Sequence, residues 1–330
     1  MTEEAPDARG VRGGLEIRRS RWLTMVVVGM VTVVGQMFHS GVASATPPPF
    51  VTILFSRSQW ALGENCTALP GAITLQQVAD DLHDRGGIGV GSVVTSWLRG
   101  SSTHCSREVI YPSWDMLKSL HASDGWESVS HSATHRNMTQ LTRSQQFAES
   151  CGTLPTFVDH GFNRAWGLFA YPNNKRSTDI QTNVVSTCFA FGRKYSPDPN
   201  RIGTTSAPWW GKVRSVNGGR CNDPTAACSS IAARYPYEDP FTLASLVQVT
   251  GGEWAVVQFH KLVSGSKLSG TVRWDCRESD WQLHFTSRTE MYCWNDYQRV
   301  LNAIPAGAVV TDPVTVARAW NANPPVLALH

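Results

Sequence analysis

The sequence predicts an α/β fold built on a parallel sheet, either barrel-like or doubly wound. Two observations carry that expectation. Strand-length apolar runs alternate with amphipathic helical stretches from residue 50 onward, and a strand–helix–strand order implies parallel units. Polar or ionisable residues then stand where the strands end: Ser56 and Arg57, His131 and His135, Asn173 and Asn174, and His260. In parallel α/β folds, sites gather at those carboxyl ends. Four strand ends bearing such groups are a stronger signal than any one of them.

The elements follow in order. Phe50–Phe55 is a continuous apolar run suited to a buried strand. Thr74 caps a helix with Leu75, Val78, Ala79 and Leu82 on one face, stopped by Gly86-Gly87. Residues 88–98 read as a second buried strand. Ser113 caps another helix with Met116, Leu117 and Leu120 inward, and 126–131 is a short strand rich in β-favouring residues. A polar helix is expected near 142–151, and a strand at 167–172 with its proline at the end, where a missing N–H is tolerable. Residues from about 196 to 250 begin as a Pro/Gly/Ser-rich excursion. A strand over 254–260, an amphipathic helix marked by Trp294, Tyr297, Val300, Leu301 and Ile304, and a short strand at 308–311 complete the chain.

The first 45 residues read as a targeting segment. Arg18, Arg19 and Arg21 precede an apolar run from Trp22 to Val34, and Ala43-Ser44-Ala45 supplies a small-residue cleavage signal. The expectation is export with residues 46–330 as one domain; an uncleaved anchor is the alternative. The 8 cysteines all lie beyond that segment and form no CxxC pair, which fits an oxidising compartment. Proximity along the chain suggests Cys66–Cys105, Cys151–Cys188, Cys221–Cys228 and Cys276–Cys293. A net charge of +3 over 330 residues offers no basic field for nucleic acid. There is no GxSxG elbow, no HExxH and no P-loop, and Gly86–Gly91 lies between helix and strand, the wrong context for phosphate.

The most informative stretch is Ser130-His131-Ser132-Ala133-Thr134-His135. Two histidines four apart can chelate one metal ion if the backbone turns between them. Its surroundings resemble a known family. Tyr111-Pro112-Ser113-Trp114-Asp115 through His135 is similar to the second motif, H-[ST]-x-x-H, of the polysaccharide deacetylases that share the NodB homology domain (carbohydrate esterase family 4). Phe169-Ala170-Tyr171-Pro172-Asn173-Asn174 resembles a variant of the third motif, and Gln258-Phe259-His260 stands where the last motif, L-x-H, is expected. The resemblance covers roughly residues 50–320 and extends to the ending Val309–Trp320.

The resemblance implies a distorted (β/α) barrel of about seven strands. It implies zinc or another divalent metal held by two histidines and a carboxylate, a polysaccharide or cell-wall glycan as partner, and hydrolysis of its N-acetyl groups. On this sequence His131 and His135 match the metal histidines and His260 the general acid. Asn173 stands where a backbone N–H helps bind the oxyanion. Tyr171, Trp114 and Trp209 are the expected sugar contacts, with Trp166 and Trp210 as further aromatic candidates. The first motif departs from the family: Leu54-Phe55-Ser56-Arg57 replaces T-F-D-D, so Ser56 takes the base position and Arg57 that of the metal carboxylate. A guanidinium stays protonated and is no metal ligand. Asp159, in Phe157-Val158-Asp159-His160, is the nearest source of a replacement ligand or base, and Arg57 itself is a candidate for polarising the carbonyl. Two functions compete, a deacetylase with a rebuilt site and an impaired relative that binds N-acetylated glycans without turnover; a third, an exported structural protein with no ligand, requires the strand-end polar cluster to be accidental.

Overall fold

The computed structural model describes residues 46–58, 61–64, 67–101, 104–106, 109–195, 200–201, 213–218, 237–238, 240–269, 273–278 and 291–320. Seven strands form its centre: β1 (Phe50–Ser56), β2 (Gly89–Val93), β3 (Glu127–Ser130), β4 (Leu168–Ala170), β5 (Phe191–Tyr195), β6 (Val213–Gly218) and β7 (Glu253–Phe259). Each pairs in parallel with the next, and β7 returns to β1 through Trp254↔Phe50 to Phe259↔Phe55. The pairings close a ring, so the barrel alternative holds over the doubly wound one. The ring is distorted at β3–β4, which share a single register pair, Ser130↔Phe169.

Alternation along the strands sorts the core. Val51, Ile53 and Phe55 pack outward with α1 (Leu75–Asp84), α2 (Trp114–Asp124) and, downstream, the helix Trp294–Asn302. Leu54, Val90, Val129, Leu168, Phe191 and Val256 belong to the cluster that fills the ring. Two residues further along β1 the inward face becomes polar at Ser56, opposite Ser92. Apolar filling below and polar groups above give the barrel one polar end.

The helix boundaries follow the capping signals. Thr74 and Gln77 form a capping box at α1. Ser113 accepts from the Met116 N–H, and α2 ends on Gly125 at φ 69°, which glycine adopts without Cβ strain. Thr142 caps α3 (Arg143–Glu149), which leads through a 3₁₀ turn to α4 (Leu154–Asp159).

Three expectations change. The strand expected over 88–98 stops at Val93, because the Thr95 and Ser96 N–H groups turn to the carbonyls of Ser132 and Ala133. The excursion after residue 196 contains β6, whose polar alternation Val213-Arg214-Ser215-Val216-Asn217 hides a strand that closes the ring. β5 also carried no sequence signal, since Arg193 and Lys194 interrupt its apolar run. The expected disulfides Cys151–Cys188 and Cys276–Cys293 are present, and Cys105 is disulfide-bonded. Cys66, Cys221 and Cys228 lie outside the described residues. Among the described residues no helix is long and apolar enough to cross a membrane.

Candidate functional site at the barrel mouth

The carboxyl ends of β1, β3 and β4 carry unusual backbone. Arg57 and Ser58 (φ 60° and 47°), Ser132 and His135 (77° and 63°), and Asn173 and Asn174 (51° and 55°) are the non-glycine residues with positive φ among the described residues. Each costs about 1–3 kcal/mol unless its surroundings hold it, and such residues gather at functional sites. Asparagine and histidine tolerate this conformation better than most; arginine does not.

Hydrogen bonds hold the His131–His135 turn. The His131 N–H donates to Val93 O at 2.7 Å, and the His135 N–H to Ser132 Oγ at 2.8 Å. Glu149 braces the loop from behind: its carboxylate accepts from the Thr134 N–H at 2.8 Å and from the Thr134 hydroxyl. The two imidazoles stand 4.8 Å apart at 81°.

His131 is buried, and its Nδ1 lies 2.7 Å from Ala170 O. A carbonyl only accepts, so Nδ1 carries the proton. Burial, then the charges of His135 and Arg193 and more weakly Arg57, hold the imidazole well below its usual titration range, against the bond to Ala170. The ring is therefore neutral near pH 7, and Nε2 is left with a lone pair. A metal-binding histidine is oriented in this way, its other nitrogen tied to a backbone oxygen.

Two arginines and a further histidine complete the described part of the mouth. The Arg57 N–H donates to Ser92 Oγ at 3.2 Å, which places Arg57 one strand from His131. Arg193, on β5 opposite Ala170, is 2% exposed and donates to the side chain of Gln258. His260 follows β7 and is buried. Sequence reasoning missed Arg193 and Gln258. Gln258 stood out only as a polar residue within the apolar run 254–259, and Arg193 carried no signal of its own.

The expected metal site does not fit these residues. No cluster of three histidine, cysteine or carboxylate groups exists among the described residues. Arg57 and Arg193 both add positive charge beside His131, and Glu149 is committed to Thr134. A unit charge pair at 4 Å is worth about 4 kcal/mol at an effective dielectric near 20. Guanidinium in place of carboxylate turns that attraction into repulsion.

The remaining expected residues divide. Asn173 sits exposed in the turn after β4, at the mouth. Asp159 does not join it. It ends α4, which crosses back from the mouth, and lines a cavity of about 520 Å³ with Leu154, Pro155, Phe162 and Trp166. Five residues on, Arg164 pairs with Asp312 at 2.6 Å and with Glu127 at 3.5 Å, at the amino end of β3. Trp114 is 3% exposed, stacked on His160 and packed edge-on against Phe157, so it is core and not a sugar contact. Tyr171 is fully buried with its ring against Phe169, and burial raises its phenol well above the usual range. It too is core. Trp209 and Trp210 lie outside the described residues. Among the described residues an aromatic ring that does stand at the mouth is Trp97, half-buried, 5.2 Å from His135 and 5.4 Å from Tyr111.

The fold and mouth define a parallel (β/α) barrel with a histidine–arginine cluster at its carboxyl end. No family model matches the chain, and no curated protein matches it. Among solved structures it is similar to the chitin deacetylase of the fungal pathogen Colletotrichum lindemuthianum, at 13% identity and a TM-score of 0.44 over 83% of this chain and 88% of that one. It is also similar to the Xyl-CE4 domain of a multidomain xylanase from the hindgut metagenome of Trinervitermes trinervoides, at 12% identity and 0.42 over 85% and 94%. A family 4 carbohydrate esterase from Streptomyces lividans matches at 15% identity and 0.32 over 64% and 78%. Likenesses at this level fix neither activity nor substrate.

Proposed function

We propose that residues 46–330 form an exported, deacetylase-like barrel that binds N-acetylated glycan at its mouth without metal-assisted turnover, residues 1–45 being the signal segment. The observation that carries this reading is the mismatch within one site. His131 keeps the orientation of a metal-binding histidine through Ala170, while Ser56, Arg57 and Arg193 occupy a mouth that would need carboxylates. The left-handed backbone at Arg57 supports a retained ligand site, since a merely structural loop would shed that cost. Trp97 offers the apolar face of a platform on which a pyranose ring can stack, and the Nε2 lone pair of His131 is an acceptor for a sugar N–H or hydroxyl. Calorimetric titration of residues 46–330 with chito-oligosaccharides, alongside an acetate-release assay, tests the reading. Binding without acetate supports it; acetate release at a steady rate overturns it.

The neutral His131 favours one second reading, hydrolysis without metal. In that reaction His131 Nε2 takes a proton from water as the water attacks the acetamide carbonyl, Arg57 polarises that carbonyl, and His260 protonates the leaving amine. Acetate release that is abolished by His131→Ala and indifferent to chelator would establish it.

A further inference from the structure

Asp159 has no part in the mouth, and the cavity it lines is a site in its own right. That cavity measures about 520 Å³, within the range of small-molecule pockets. Its lining comes from α4, from the turn Cys151–Thr153 before it, and from the turn Ala165–Gly167 that leads into β4. Leu154, Phe162 and Trp166 supply apolar and aromatic walls, the two rings being 1% and 9% exposed. Val158 and Asp159 line it from exposed positions, so the cavity opens to solvent beside a carboxylate.

Three polar side chains of this lining are without partners. Among the described residues the Trp166 indole N–H, the Asn163 amide and the Asp159 carboxylate make no hydrogen bond, and Asp159 makes no ion pair. Asp159 does act on the neighbouring His160. Burial, and behind it the charge of Lys118, hold that imidazole below its usual range, so it is neutral near pH 7 and leaves the carboxylate uncompensated. The cations close by in the chain are engaged: Lys118 pairs with Asp115 at 2.7 Å and Arg164 with Asp312 at 2.6 Å. Capping does not account for Asp159 either. It is the last residue of α4, where free carbonyls disfavour an anion.

We infer that this cavity binds a small organic cation, with an aromatic or alkyl body against Leu154, Phe162 and Trp166 and one ammonium head at Asp159 and Asn163. Aromatic rings accept the apolar body and attract the charge. The carboxylate supplies a charge-assisted hydrogen bond, and the amide oxygen accepts a second N–H. An apolar pocket with a few convergent polar groups is the usual form of a small-molecule site. Asp159 repels an anion of the same shape.

The test uses the protein with its disulfides intact, because Cys151–Cys188 borders the cavity. Three probes share one body and differ in the head: phenethylammonium, 2-phenylethanol and 3-phenylpropanoate. In calorimetry at pH 7 the cation binds about tenfold tighter than the alcohol, and the propanoate binds more weakly than either. Asp159→Asn brings cation and alcohol to within about twofold of each other and leaves the alcohol's own affinity unchanged. Nitrogen-15 NMR of the tryptophan indoles places the site. The Trp166 resonance, identified by its absence from Trp166→Phe, moves as the cation is added.

Equal affinity for cation and alcohol in the wild type overturns the inference, as does a preference for the cation that survives Asp159→Asn. Binding that leaves the Trp166 resonance unmoved puts the ligand elsewhere and overturns it too, and so does the absence of binding by all three probes at millimolar concentration. Asp159 is exposed, so Asp159→Asn should fold, and its unfolding midpoint without ligand should equal or slightly exceed that of the wild type.

Discussion

Glu127 should make the protein lose stability as pH rises from about 4.5 to 7. It opens β3 at the end of the barrel opposite the mouth, and its side chain is 7% exposed. Burial, and behind it the charge of Asp312, raise its carboxyl from 4.5 to about 7, against the pull of Arg164. One of its oxygens, Oε2, has no hydrogen-bond partner among the described residues. The folded pKa lies above the unfolded one, so the folded chain binds more protons between those values. The contribution is fully present below about 4.5, shrinks through the window, and is gone above about 7. A shift of about 2.5 units is worth about 3 kcal/mol at 1.36 kcal/mol per unit. Glu127→Gln removes the titration. Urea unfolding from pH 4.5 to 8 should then show a flatter profile, with the variant above the wild type at pH 8 by up to that amount, less the weak Arg164 contact at 3.5 Å. His121, half-buried and 3.7 Å from the same carboxylate, loses that contact in the variant, so the difference between profiles reports Glu127 together with this pair. Identical profiles would refute the reasoning.

Three further outcomes follow from the placement of residues. Trp114→Ala should cost about 3–5 kcal/mol in urea unfolding, because the ring is core between Phe157, Phe162 and His160, and the fraction that remains folded should bind glycan as the wild type does. Trp97→Ala should do the reverse, weakening glycan binding by about tenfold with a small change in stability, as calorimetry and unfolding together report. The double variant Ser56→Asp, Arg57→Asp restores two carboxylates beside a correctly oriented His131, and should gain a divalent-cation site that raises its unfolding midpoint in zinc.

Much of the fold was legible because local rules were obeyed locally. Thr74 and Gln77, Ser113 and Gly125, and the apolar run of β1 each act over a few residues, and each element formed where those residues put it. The failures had non-local causes. Residues 94–98 left the strand because Ser132 and Ala133, nearly forty positions on, offered carbonyls to Thr95 and Ser96. β6 is polar by sequence and is a strand because β5 and β7 present free edges on either side. At the mouth, the four strand ends were readable from chemistry alone, and the structure brings Arg57, His131 and His135 together there. Arg193 was not readable, since nothing in its neighbours says that a barrel interior surrounds it. Trp114 and Tyr171 misled for the same reason: an aromatic residue next to a motif looks like a ligand platform until its burial is known.

The most direct test of the central claim is zinc titration by calorimetry of residues 46–330, with His131→Ala alongside. The account predicts no tight site in either protein, because Arg57 and Arg193 stand where a metal needs negative charge. One tight site in the wild type that vanishes in His131→Ala would contradict it, and would mean that a third ligand reaches the mouth despite both arginines.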